Sequence, residues 1–316
     1  MKANLYLHHE TFRHNNVDSE QRVTEKLQEL VHDMASICYS KEYKQNNKFF
    51  YTPDLLTCNV FENQTLMEFV NKHLSNDQIG EFYTLLENSA DDISLSTTLE
   101  ELREMCKFQK DEQEVNSLVV LNHPSVTKVS NPYITFEDYE LVYSRGSWLM
   151  LRRQILGNHP GTPSEFIEDC RKYFENLKFS EFCKTSLSTD FEYLQIVPRK
   201  IVYYLTCLND GYQEVYDKHQ SQKAKDLNSV VEDFSGVYGL DKVGSRKGKS
   251  TDKKTLTFNF SNDQTYYCEA HLKFNSPDSN FSGSIQLSLF NPRIYYYPNL
   301  TKSNGIIYVG SIGKHL

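Results

Sequence analysis

An α+β chain is expected, with a helix-rich N-terminal body and a C-terminal antiparallel β-sheet of about five strands. Three observations lead there. Apolar residues recur at helical three- and four-residue steps in most segments before residue 235. From Thr255 to Leu316 they alternate instead, in short aromatic runs broken by Asn, Pro, Ser and Gly. Between the two regimes, residues 235–254 hold four Gly and several Ser, Lys and Asp, with few apolar residues after Leu240. The expected organisation is therefore 1–234 as the body, 235–254 as a basic linker or exposed loop, and 255–316 as the β region.

Asn4-Leu5-Tyr6-Leu7-His8-His9 suits an opening strand. Asp18 is placed to cap a helix whose stripe is Val23, Leu27, Leu30, Val31, Met34 and Ile37, with Gln21 set for a capping box. Residues 49–59 fit a strand or a loop. A helix follows from Asn63 through Leu66, Phe69, Val70 and Leu74, and a second from Asp77 through Ile79, Phe82, Leu85 and Leu86. Thr97 and Glu100 form a capping-box pair ahead of Leu102 and Cys106. Leu118–Leu121 and Val126–Val129 fit strands about the His123-Pro124 turn, whereas 147–156 suits helix or strand equally. Thr162-Pro163-Ser164-Glu165 is a strong helix start, ahead of the stripe Phe166, Ile167, Cys170, Tyr173 and Phe174. Pro198 opens a long helix through Val202, Leu205, Leu208, Tyr212 and Val215, in which Gly211 is an unfavourable interior residue. Strands are expected at 255–260, 264–274, 284–290, 293–297 and 306–312.

The bulk numbers exclude some functions. A net charge of -8 disfavours a protein that wraps nucleic acid over its whole surface, because phosphate binding needs Lys and Arg. The 7 Cys have no close pair of the kind metal knuckles use, so reduced core thiols are expected and no metal or other cofactor. No apolar window is long enough to span a bilayer, which points to a cytoplasmic protein with no membrane partner. Glycine-rich phosphate loops of the P-loop or dinucleotide type are absent, as is a nucleophile elbow. His9-Glu10 is followed by His14 five positions after His9, which breaks the helical face a zincin motif needs. Polar residues at a strand end account for that run.

Two clusters invite chemistry. Arg246, Lys247, Lys249, Lys253 and Lys254 form a basic stretch able to meet RNA or DNA phosphates, although such runs also occur as plain solvated surface. Glu269, His271 and Lys273 alternate along one strand, and Arg293, Tyr295 and Tyr297 along another. Each trio shares a strand face opposite apolar neighbours, so the polar side of the sheet is expected to be exposed. If the strands pair, a carboxylate or imidazole could take a 2′-hydroxyl proton while Arg and Lys stabilise a pentavalent anion. A half-solvated sheet yields the same alternation without any chemistry.

Arg293-Ile294-Tyr295-Tyr296-Tyr297, followed by Ile306-Ile307-Tyr308-Val309-Gly310-Ser311-Ile312-Gly313-Lys314-His315-Leu316, resembles the closing hairpin of uncharacterised prokaryotic proteins of phage-defence and mobile-element islands. It is more loosely similar to the last strands of RelE-type ribonuclease toxins. The first resemblance implies an interaction, adaptor or effector component of an anti-phage defence system, with a protein partner from the same operon. The second implies a metal-independent ribonuclease and transfers only Arg293 and Tyr295 as site residues.

Overall fold

A computed structural model describes residues 2–13, 18–39, 47–87, 98–106, 114–121, 141–189, 192–221, 226–240, 242–246, 253–260, 264–274 and 292–316. They form a mixed α+β structure in two compact units, the first ending at Arg152 and the second running Arg153–Leu316. This contact-based division differs from the compositional one, because helices and C-terminal strands of the second unit share one core.

In the first unit, β1 (Lys2–Leu7) lies between β2 (Asn47–Tyr51) and β5 (Glu114–Val119), and β6 (Leu141–Val142) joins β5. All these pairs are parallel. A small hairpin, β3 (Asn59–Phe61) with β4 (Gln64–Thr65), interrupts the helices α1 (Glu20–Tyr39), α2 (Leu66–His73), α3 (Asn76–Glu87) and α4 (Leu99–Met105). Leu102 and Cys106 at the end of α4 pack on Tyr6, Leu118 and Val120. The alternate residues Ala3, Leu5 and Leu7 are buried too, so the sheet is covered on both faces, as parallel sheets generally are.

Caps explain where the helices begin. Thr65 and Glu68 form a reciprocal box at α2. Ser75 and Gln78 do the same at α3, so the cap is Ser75 and Asp77 lies in the first turn. At α4 the box is Thr98 with Glu101, one residue beyond the expected Thr97–Glu100 pair. The doubled Thr-Thr and Glu-Glu offer two registers, and only contacts choose between them. Ser19 accepts the Arg22 amide at α1 (3.3 Å), while Asp18 pairs with Arg22 and Lys26 and Gln21 bonds Glu25. The ambiguous 147–156 lies within helix α5 (Arg145–Asn158). Residues 126–129 and 284–290 lie outside the described residues.

The second unit builds its core from α6 (Pro163–Tyr173), α7 (Phe182–Thr189), α8 (Glu192–Ile196), α9 (Pro198–Ser221) and α10 (Leu227–Val237). Thr162 and Glu165 cap α6 as expected. Helix α9 runs unbroken through Gly211, and packing explains the residue: a Cβ there would stand 1.9 Å from the Tyr238 hydroxyl. These helices pack on one face of a five-stranded sheet ordered β7 (Leu177–Phe179), β13 (Ile307–Gly313), β12 (Arg293–Tyr296), β11 (Ala270–Lys273), β8 (Lys242–Arg246). The sheet is mixed and not purely antiparallel, because β7, from the helical stretch, joins β13 in parallel. Strand β8 also falls within residues 235–254, where a linker or loop was expected. The hairpin β9 (Thr257–Asn259) with β10 (Thr265–Tyr267) is a separate ladder, and the short helix α11 (Leu300–Ser303) connects β12 to β13.

No disulfide joins the seven cysteines. Burial pushes the thiol of Cys58 up to about 11, and those of Cys183 and Cys207 up to about 12, so they serve as apolar filling. Among the described residues no helix is long and apolar enough to cross a membrane.

Candidate functional site on the C-terminal sheet

The two polar runs pair with each other. Strands β11 and β12 are antiparallel, with Ala270 opposite Tyr296, His271 opposite Tyr295, Leu272 opposite Ile294 and Lys273 opposite Arg293. Directly paired residues share a sheet face. Ala270, Leu272, Ile294 and Tyr296 enter the helical core. His271, Tyr295, Lys273 and Arg293 therefore share the other face.

That face is much less open than the alternation implied. His271 is 3% exposed and Tyr295 0%, whereas Arg293, Lys273 and Glu269 are half-buried. The exposed polar row expected from the strand pattern is corrected here. Alternation tells which side chains share a side, not whether another element covers that side. Leu256, Phe258 and Phe260, about the β9–β10 hairpin, pack with Cys268, Tyr295 and Tyr308 over part of this face.

Arg293 Nη1 lies 2.7 Å from His271 Nε2. A guanidinium has no acceptor, so it donates and His271 Nε2 accepts, which places the proton of the neutral imidazole on Nδ1. The Tyr295 ring stands 5.3 Å from that of His271, and its hydroxyl accepts the Leu316 amide at 3.1 Å. Burial pushes the Tyr295 phenol up, and the Leu316 N–H and Arg293 oppose the shift. Burial likewise pulls the Arg293 guanidinium down, and Tyr295 opposes the shift; among the described residues no carboxylate pairs with it. Arg293 Nε is buried without a hydrogen-bond partner among the described residues.

Glu269 precedes β11, and its charge helps raise the Tyr297 phenol, whose main cause is burial. Of the basic stretch, Arg246 ends β8 opposite Ala270, Lys253 and Lys254 are exposed before β9, and Lys247 and Lys249 lie outside the described residues. The structure thus brings together His271, Lys273, Arg293 and Tyr295.

Ser311 escaped the sequence reading. It pairs with Tyr295, is 0% exposed, and its hydroxyl has no hydrogen-bond partner among the described residues. Strict alternation from Val309, a core residue, would send Ser311 to the core as well. A bulge between the Tyr295–Ser311 and Tyr296–Val309 pairs inserts Gly310 and reverses the facing. A Cβ on Gly310 would meet the Phe258 ring at 2.2 Å, so glycine is needed there. The Gly between Val309 and Ser311 was the available signal.

Among the described residues no group of His, Cys, Asp and Glu could hold a metal ion. Compared with protein-family models, curated proteins and solved structures, the chain matches none.

Proposed function

We propose that the second unit recognises an anionic, phosphate-bearing ligand through Arg293 and Lys273, and that the protein acts as an interaction or effector component of a prokaryotic anti-phage defence system. The observation that carries the first half is Arg293. It is partly desolvated, held by a neutral imidazole, and among the described residues has no carboxylate to balance its charge. An arginine in that state has donors pre-oriented for an oxyanion, with Lys273 adding a second cation across the strand pair. The hairpin's resemblance to defence-island proteins supports the second half and implies a partner encoded in the same operon.

A second reading, a metal-independent ribonuclease, is favoured by the meeting of His271, Tyr295, Arg293 and Lys273 on paired strands. In it Tyr295 or His271 would move protons and the two cations would stabilise the pentavalent anion. Burial of His271 and Tyr295 requires the face to open before an RNA phosphate reaches them.

Purified protein, with and without the neighbouring gene product, is incubated with labelled RNA and DNA in EDTA, beside Arg293→Gln and His271→Ala variants. Binding lost in Arg293→Gln, with substrate intact, supports the recognition reading. Cleavage in EDTA that both variants abolish supports the nuclease. Wild-type protein that neither binds nor cleaves overturns both readings for nucleic acid.

A further inference from the structure

Two buried polar atoms on one face of the five-stranded sheet, Arg293 Nε and Ser311 Oγ, have no hydrogen-bond partner among the described residues. The strand register sets their relation. On β13, Gly313 stands opposite Arg293 and Ser311 opposite Tyr295, so Ser311 is the diagonal neighbour of Arg293. Diagonal neighbours on paired antiparallel strands stand roughly 7–8 Å apart, within reach of a long side chain. The residue directly across from Arg293 is a glycine, which puts no side chain between the guanidinium and Ser311.

Packing does not account for a serine at this position. Its side chain is 0% exposed, and a buried hydroxyl left unpaired keeps its desolvation cost with nothing to offset it. Alanine would fill nearly the same space without that cost. The bulge at Gly310 is what turns Ser311 to the face of Tyr295, while Ile312 returns to the helical core.

Arg293 is oriented from the opposite side. Its Nη1 donates to His271 Nε2 at 2.7 Å, and His271 belongs to β11. In a planar guanidinium the Nε–H lies on the fork edge that faces away from Nη1. Strands β11 and β13 flank β12 on opposite sides, so that edge is the one on the side of Ser311. Lys273, directly across from Arg293 on β11, adds a third donor from a third strand. Of the residues about this face, Leu256, Phe258 and Phe260 are buried, whereas Lys314 and His315 are exposed. Half-buried Leu316 donates its amide to the Tyr295 hydroxyl, so the segment after β13 is the cover that a ligand displaces on entry.

We infer, on the basis of the phosphate-binding reading proposed above, that Ser311 is a ligand-binding residue of this site and selects a tetrahedral oxyanion over a carboxylate. One phosphoryl oxygen accepts from Arg293 Nε–H, a second from the Ser311 hydroxyl and a third from Lys273. The guanidinium and the ammonium carry no acceptor, and the hydroxyl is free to donate, so the group they share must bring oxygens and negative charge. A carboxylate has two oxygens for three donors. A phosphoryl group has enough for all of them, and its hydrogen bonds are strengthened by the low dielectric of a buried seat.

The test titrates the full chain with inorganic phosphate, uridine 5′-monophosphate and acetate by calorimetry, beside Ser311→Ala, Ser311→Cys and Arg293→Gln, and melts each protein without ligand. Both phosphates should bind the parent, and acetate at least about tenfold more weakly. Ser311→Ala should lose at least about tenfold in phosphate affinity. Ser311→Cys keeps the volume but donates weakly, so it should bind like Ser311→Ala. Without ligand, Ser311→Ala should melt no lower than the parent, because it removes an unpaired buried hydroxyl. If the parent binds neither phosphate, or Arg293→Gln binds like the parent, the phosphate-binding reading fails and the role of Ser311 with it. If Arg293→Gln loses binding while either Ser311 variant binds like the parent, only the role of Ser311 is overturned. A ligand-free Ser311→Ala that melts below the parent, or acetate binding as tight as phosphate, overturns that role too.

Discussion

The two sheets of this protein place their polar groups differently. In the first unit, β1 carries Ala3, Leu5 and Leu7 buried on one face and Tyr6 on the other, and its histidines come only after the last strand residue. In the second unit, His271, Arg293 and Tyr295 sit in mid-strand, on the face opposite the helical core. A parallel sheet covered on both sides has no solvated face, so its strands meet solvent only at their ends. A mixed sheet with helices on one side has a second face to use, and here that face is part aromatic cover and part cationic site.

The largest expected effect breaks the core side of this comparison. Leu272→Ala removes a 0% exposed side chain paired with Ile294, and should cost about 2–5 kcal/mol in urea unfolding, without altering the Arg293–His271 contact in a ligand-binding assay. Gly310→Ala attacks the other face. The new methyl must displace the Phe258 ring or the Cys268 sulfur, so a loss of about 1–3 kcal/mol is expected, together with changed near-UV aromatic dichroism.

Arg293→Gln sharpens the comparison instead. A desolvated guanidinium with no carboxylate partner among the described residues adds little stability, so the variant should unfold within about 1 kcal/mol of the parent, on either side, while losing anion binding. A loss as large as that of Leu272→Ala would make Arg293 a structural residue.

The smallest effect is at the α6 cap. The Thr162 amide, and then its hydroxyl, hold the Glu165 carboxyl below the usual carboxylate range. A lowered folded-state value means that this contribution is complete above the ordinary carboxylate pKa and is lost as pH falls through the lowered one. The melting temperature of Glu165→Gln should therefore lie below that of the parent at neutral pH, and the gap should close on acidification. A gap that widens in acid would contradict the cap's assignment.

Much of the local structure was legible because its causes are local. Thr162-Pro163-Ser164-Glu165 holds its whole capping box within four residues, and the box forms as read. Thr98 and Glu101 show the limit: with Thr97 and Glu100 beside them, sequence offered two registers, and the packing of Leu102 and Cys106 goes with the second. For the site, strand spacing identified His271, Lys273, Arg293 and Tyr295 as members of shared faces, and the β11–β12 register joins those faces. Glu269 fits the same spacing, precedes the strand and acts on Tyr297, a neighbour that periodicity alone does not reveal.

By itself, then, the sequence determined the helical stripes and their caps, the β character of the C-terminal region, and which polar side chains alternate with apolar ones. Tertiary structure decided what those alternations face. It placed β7 beside β13 across more than a hundred residues of chain, brought β8 out of a stretch that reads as linker, and turned Ser311 away from the core by a bulge at Gly310. Capping boxes and periodic stripes are held by neighbours a few residues away, so short windows reveal them. Register, bulge and cover depend on partners distant in sequence, such as the Phe258 ring against Gly310, and no window of a single strand contains them.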